Sequence, residues 1–516
     1  MSLFPMQARG KRVWLVSAGA VILAAVLSGC GSNYRPVVTP INPTGPASQP
    51  QALAIVVSVP STTSKGIATV IDYSGDSVLA SAPIGPGPLA FTVDAGGSMG
   101  YTVNSDGTLT NFQISSSQPQ EKNITYSTLP STADVVGLFS PAVGLWVSDL
   151  DGNQIDVLTG SPETYKLSIP VAPTPVAVAG MATLAQHYFA ISRNNSSTPS
   201  DSVATFDDMS CNTAPSSVSQ SGEADVLEIS NYTRSAQIPL GKCPVYAIPS
   251  ADGKRIFVLN RGSDTVSVIN SQNETLDACT PFLNQSGQTV TCHPTLPLST
   301  TAVTQTGITP PNGTTGMTET AGPVYAEYNS STGQLIVANY DGGTISIIDV
   351  SLDIYGNDSQ TFGTTYTVKV GNTATPNPAS VTVLPNGDRA YTANQNDGTT
   401  NGTVTIVNLS SHTVEKTLGV VGHPRTVVSV ANSLYGKVYV ASPDSPYLTI
   451  LRTDEDIVDT TVLVQGNIMD VRISSPNGST SNLNNTSRRP GSGQPCYLPG
   501  TTATASLANC QSQTLN

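Results

Sequence analysis

Hydrophobic and polar positions alternate along this chain in a unit that repeats: a Pro-led apolar strand, a polar turn, a strand ending in Asn, a Gly/Asp turn and a β-branched strand. The clearest copies are PVYAIPSADGKRIFVLNRGSDTVSVIN (244–270) and PVYAEYNSSTGQLIVANYDGGTISIID (323–349). Period-two alternation bounded by turn residues predicts strands, and a fixed repeat of this size predicts closed repeat architecture. First strands of successive units begin with LAFTVD at 89, DVVGLF at 134, PVAVAG at 175, PVYAIP at 244, PVYAEY at 323, PASVTV at 378, PRTVVS at 424 and MDVRIS at 469. The spacings of 45, 41, 69, 79, 55, 46 and 45 residues mostly match four-stranded propeller blades of about 40–50 residues. The two longest hold insertions at 193–221 and 271–320, where alternating hydrophobicity is lost.

Both ends of the array are incomplete units. LAIVVSV (53–59), GIATVID (66–72) and SVLASAPI (77–84) read as second, third and fourth strands without a first, whereas MDVRIS is a first strand with nothing after it. Joining them completes a blade and leaves no open sheet edge to template aggregation. The fold class predicted is all-β: a β-propeller of eight four-stranded blades by repeat count, with seven as the alternative, closed by strands from both termini over residues 51–474. Second strands ending YTVN (101–104), FVLN (257–260), IVAN (336–339) and YTAN (391–394) resemble the YVTN-type β-propeller repeat family. That resemblance covers roughly 51–474, and most of the family has seven blades.

Composition adds an address. Arg9, Lys11 and Arg12 precede an apolar stretch from Val13 to Leu27 and then Leu27-Ser28-Gly29-Cys30. A basic head, a short apolar segment and small residues form a secretory signal over 1–29. Its ending resembles the bacterial lipoprotein box, which implies cleavage before Cys30, lipid on its sulfur, and a domain outside the cytoplasm, attached through that lipid to a membrane of the cell envelope. Residues 30–50 read as a Pro/Ser/Thr tether, and 475–516 as a flexible tail with a disulfide loop. Of seven cysteines, six remain after Cys30, and nearest neighbours suggest Cys211 with Cys243, Cys279 with Cys292, and Cys496 with Cys510. The formal charge of −13 becomes −16 when the three basic residues leave with the signal. An acidic domain without a Lys/Arg cluster repels phosphate backbones, which excludes nucleic acid as a partner.

Candidate chemistry is sparse. The strand-end asparagines Asn104, Asn260, Asn339 and Asn394 recur in register, as a structural role demands. Among four histidines, His187, His293 and His412 are isolated, while His423 in GHPRT (422–426) enters an innermost strand, where His423 and Arg425 face the central funnel together with Tyr246 and Tyr325. DLDGNQID (149–156) lacks the chelating Glu of a calcium loop, since Gly160 stands at its twelfth position, and reads as a turn. Neither a haem motif nor a Cys-x-x-Cys pair is present, so neither cofactor nor metal is expected and no catalytic residue is assigned. The expected function is a lipid-anchored, non-catalytic binding or scaffold module for an envelope protein, a glycan or a small ligand; the alternative is a propeller hydrolase of the lactone-cleaving type.

Overall fold

The structure, a computed structural model, describes residues 53–60, 64–94, 96–104, 106–114, 125–128, 135–139, 144–149, 152–180, 187–194, 221–298, 321–398, 401–430 and 436–474. The expectations at Cys30, the signal, the tether, the tail, Cys211, Cys496 and Cys510 lie outside those residues. Among these residues every regular element is a β-strand, and the strands form eight blades in a ring. Innermost strands begin at Pro88, Val135, Pro175, Pro244, Pro323, Pro378 and Thr426 for blades 2 to 8. Blade 1 is composite: Asn467–Ser474 is its innermost strand, and Leu53–Val59, Lys65–Asp72 and Val78–Pro86 complete it. The two termini pair antiparallel from Leu53↔Ser474 to Val59↔Asn467, so the eight-bladed count and the closure both hold.

The Pro that opens most units has a local cause. Gly87, Thr174, Cys243, Gly322 and Asn377, each just before a blade's first Pro, adopt φ of 50° to 59°. One left-handed residue turns the crossover into the innermost strand. Non-Gly residues tolerate this conformation when neighbouring bonds hold it, and here the carbonyls of Thr174, Cys243, Gly322 and Asn377 accept the N–H of Arg193, Arg261, Tyr340 and Gln395 at 2.9–3.1 Å.

The strand-end asparagines form the second repeated device. Asn260 Nδ2 donates to the hydroxyls of Thr265 (3.2 Å) and Ser267 (2.9 Å), Asn339 to Thr344 and Ser346, Asn394 to Thr403 and Thr405, and Asn104 to Thr108 and Thr110. The second hydroxyl also accepts a backbone N–H from the crossover arriving from the preceding blade: Gly85 on Thr110, Gly241 on Ser267 and Gly371 on Thr405. Each relay therefore ties one blade to the next, and the close approach requires glycine. A Cβ on Gly85 would sit 2.1 Å from Asn104 Nδ2, and one on Gly241 would sit 2.6 Å from Asn260.

Two blades build the same relay from carboxylates. In blade 4, Asp225 occupies the register of Ser267 and accepts the Ala172 N–H at 2.6 Å. In blade 3, Asp149 and Asp156 take the Asn and second-hydroxyl registers, and Gln154 supplies the amide that bonds both at 3.1 Å. Burial raises the Asp156 pKa most; the Ser168 hydroxyl bond opposes it, Asp149 adds to it, and the carboxyl is pushed up to about 6.

Blade 5 corrects one expectation about the insertion at 271–320. Its outer strand is split: Thr275–Leu276 and Thr295–Pro297 both pair with Thr265–Asn270, and the chain between them leaves the blade and returns. That excursion carries a two-stranded hairpin, Phe282–Leu283 with Thr289–Val290, closed by Cys279–Cys292 across 13 residues. Residues 271–298 thus belong to the folded ring, and Leu296 and Leu298 are buried in its core. Cys243 is disulfide-bonded as well.

Two outcomes test these relays. Asn394→Ala should lower stability by about 1–2 kcal/mol because it takes the amide donor from two buried hydroxyls, with Thr405→Val costing a similar amount and the double variant less than the sum; additive losses in urea unfolding would contradict a shared relay. For Asp156, a folded-state pKa raised above the unfolded value gives stability that is full below about pH 4 and lost as pH rises through about 6. Asp156→Asn keeps the Oδ1 acceptor, so it should be about 1–2 kcal/mol more stable than the parent at pH 7 and equal to it near pH 4; equal stability at both pH values would refute the assignment.

Candidate functional site

Each blade's first and second strands join at one face of the ring, the lower, where the turns into the fourth strands also lie. Second-to-third turns and the crossovers lie at the upper face. Tyr246 and Tyr325 stand in the same register on the innermost strands of blades 5 and 6, both buried, with ring centroids 4.7 Å apart at 41°. Arg472 projects from the innermost strand of blade 1, on the far side of the ring, and its guanidinium lies close enough to feel both phenols. It therefore occupies the central channel. Burial disfavours its charge, but Asp470, with Tyr325 and Tyr246, outweighs this and holds its pKa above the ordinary value.

Arg472 is 5% exposed, and its Nε and Nη2 have no hydrogen-bond acceptor among the described residues. Nη2 lies 3.1 Å from Asp470 Oδ2 without hydrogen-bond alignment. A buried guanidinium with unused N–H groups is costly unless something pairs with it. The only sequence cue was a pair of charges, Asp470 and Arg472, alternating with Met469, Val471 and Ile473 in MDVRIS.

His423 and Arg425 are both buried, in the crossover from blade 7 to blade 8. His423 is not a lone surface histidine: its backbone N–H donates to Asp444 Oδ1 at 2.8 Å, and its Nδ1 lies 2.5 Å from Asp444 Oδ2. Burial would raise the Asp444 pKa, but the two His423 bonds outweigh it and hold the carboxyl below its ordinary value. This fixes the ring with Nδ1–H toward the acid, and Nε2 is buried without a partner among the described residues. Asp444 lies 21 positions from His423, a spacing no short motif displays.

The other histidines are not isolated either; they sit at the lower-face seams between blades, where a third repeated device operates. In five blades the left-handed residue of the third-to-fourth turn meets the preceding blade: Asp76, Tyr232, Glu274, His412 and Asp456, with φ of 50° to 58°. Acids there receive a base from the start of a second strand: Lys437 to Asp76 at 2.7 Å, Arg389 to Asp456 at 2.5 Å, and His187 to Glu274 at 3.0 Å. Aromatics stack instead, Tyr232 on Trp146 and His412 on Tyr366 at 3.7 Å. Between blades 5 and 6, Arg255 contacts Asp277 and Asp358, and His293 also bonds Asp358 at 2.8 Å and stacks on Phe362. Beside the His412–Tyr366 stack lies a cleft of about 360 Å³ lined by Gln334, Asp349, Thr361 and Ser410 among others.

No family model matches this chain, and no curated protein does. Among solved structures, it is similar to apo AztD from Citrobacter koseri, at 12% identity and a TM-score of 0.51 over 82% of this chain and 97% of that one. The dihydro-heme d1 dehydrogenase NirN, solved in complex with DHE, is similar at 13% identity and a TM-score of 0.53 over 86% and 78% of the two chains. The periplasmic gluconolactonase PpgL of Pseudomonas aeruginosa is similar at 12% identity and a TM-score of 0.45 over 82% and 98%. At such identities the likeness concerns the propeller fold alone.

Proposed function

We propose that this chain is an extracytoplasmic binding module of the YVTN-repeat type, held to a membrane by lipid on Cys30, which receives a polar group of an envelope protein or glycan in its central channel. The observation that carries the reading is Arg472: a guanidinium buried in the channel, with Nε lacking an acceptor and Nη2 meeting only Asp470, close to the Tyr246–Tyr325 ring pair. Buried charge of this kind is a poor way to stabilise a protein and a good way to hold a ligand's acceptor atoms. Selectivity at the rim falls to the insertions. The described ends of both stretches, Asn194 with Ser221 and Leu298 with Ala321, lie at the upper face on adjacent blades.

A second reading, hydrolysis of a lactone, is favoured by the His423–Asp444 pair, because an acid that orients Nδ1 leaves Nε2 able to act as a base. It needs a substrate carbonyl within reach of Nε2.

The two readings separate in one set of measurements. The double variant Asp470→Asn, Arg472→Gln removes both charges of this pair and keeps the acceptor used by the Val471 N–H. It should melt within a few degrees of the parent and capture the cross-linked envelope partner at least tenfold less. Capture unchanged by the double variant would refute the channel site. Turnover of δ-lactones by the parent, lost in His423→Gln, would replace the binding reading with the hydrolase.

A further inference from the structure

His187 opens the second strand of blade 4 at the register where other blades carry a permanent cation. Arg255, Arg389 and Lys437 occupy that position in blades 5, 7 and 8. Opposite them, the last residue of the third strand is Asn270, Asn408 and Arg452, none of which is acidic. Opposite His187 stands Glu228. The imidazole therefore lies between two carboxylates on separate blades: Nε2 is 3.0 Å from Glu228 Oε2, and Nδ1 is 3.0 Å from Glu274 Oε1.

Charge counting distinguishes this seam from the others. With a neutral imidazole the three groups carry −2, and one proton leaves −1. A divalent cation bound by the neutral ring and both carboxylates brings the cluster to zero. One imidazole nitrogen and two carboxylate oxygens form a donor set for zinc-like ions, with water completing the shell. Zinc bonds of about 2.0–2.2 Å place neighbouring ligand atoms about 3.3 Å apart, which the His187–Glu228 pair nearly meets. The three ligand atoms lie within 4.8 Å of one another. Side-chain exposures of 22%, 27% and 25% for His187, Glu228 and Glu274 give an ion a path from solvent and leave Glu274 room to rotate onto it.

We infer that His187, Glu228 and Glu274 form a divalent transition-metal site that clamps blade 4 to blade 5 at the lower face. This site is independent of the channel reading. An ion there would substitute for the Arg and Lys cations that lock the seams into blades 6, 8 and 1, with the difference that it can be loaded or removed.

The test uses tag-free full-length protein, zinc ions alone as the probe, equilibrium dialysis at pH 7.5 and thermal melts. The parent should bind about one Zn²⁺ per chain and melt higher when loaded. His187→Arg restores the cation of the other seams and removes the ligand; it should melt like the metal-free parent, with zinc affinity reduced at least tenfold and no zinc-dependent shift. Glu274→Gln, which needs no refitting of the strand, should also lose at least tenfold in affinity. Absence of zinc binding by the parent, or binding unchanged in both variants, would overturn the site; a parent whose melt responds to pH but not to zinc would assign the seam to a proton instead.

Discussion

The pairing of Leu53–Val59 with Asn467–Ser474 is the constraint on which the ring depends. Every other blade is built from one continuous stretch of chain, so each can be assembled locally. Blade 1 needs chain ends more than 400 residues apart, as in the bond from Ser58 Oγ to the Gln465 carbonyl at 2.8 Å. The entropic cost of so long a closure grows only logarithmically with length. What it removes is an open edge, which in an unclosed array would expose the N–H and C=O groups of a long apolar strand. Arg472 reaches the channel because it rides on that closing strand, so closure also positions the candidate site.

Within the closed ring, three small devices hold neighbouring blades in register. A left-handed residue aims each crossover, an Asn or its carboxylate equivalent ties that crossover to the third strand, and a turn residue at the lower face pairs or stacks with the blade before it. Ser380 and Thr382 add a fourth contact by accepting the N–H groups of Val427 and Ser429 from the innermost strand of blade 8. Repetition makes these devices structural. Functional candidates are the departures from them: Arg472 beside Asp470 on the closing strand, His423 paired with Asp444 in a crossover, and His187 where three other blades carry a permanent cation.

Much of the architecture was readable because a blade is a local pattern. First strands expected at 89, 134, 175, 244, 323, 378, 424 and 469 begin within two residues of those positions. The outer strand of blade 5 was not legible, because two- and three-residue strands such as Thr275–Leu276 and Thr295–Pro297 carry too few positions for any period to show. Nor were the partners of the histidines. Each carboxylate that meets one comes from another strand, a turn or a neighbouring blade, 21 to 87 residues away. Tyr246 and Tyr325 were placed together by their shared register, whereas the charge that faces them across the channel required the closed ring to be seen.

Ring closure is tested most directly by urea unfolding of the chain lacking residues 1–29 and truncated after Gly466, followed by Trp146 fluorescence. Trp146 is fully buried in blade 3, two blades from the closure, and packs edge-on to Tyr188. If closure holds the ring as one cooperative unit, removing Asn467–Ser474 will shift the Trp146 transition to much lower urea, together with the loss of β-structure seen by circular dichroism. A Trp146 transition at the parent's midpoint would show that the blades stand without the closing strand and would contradict the account.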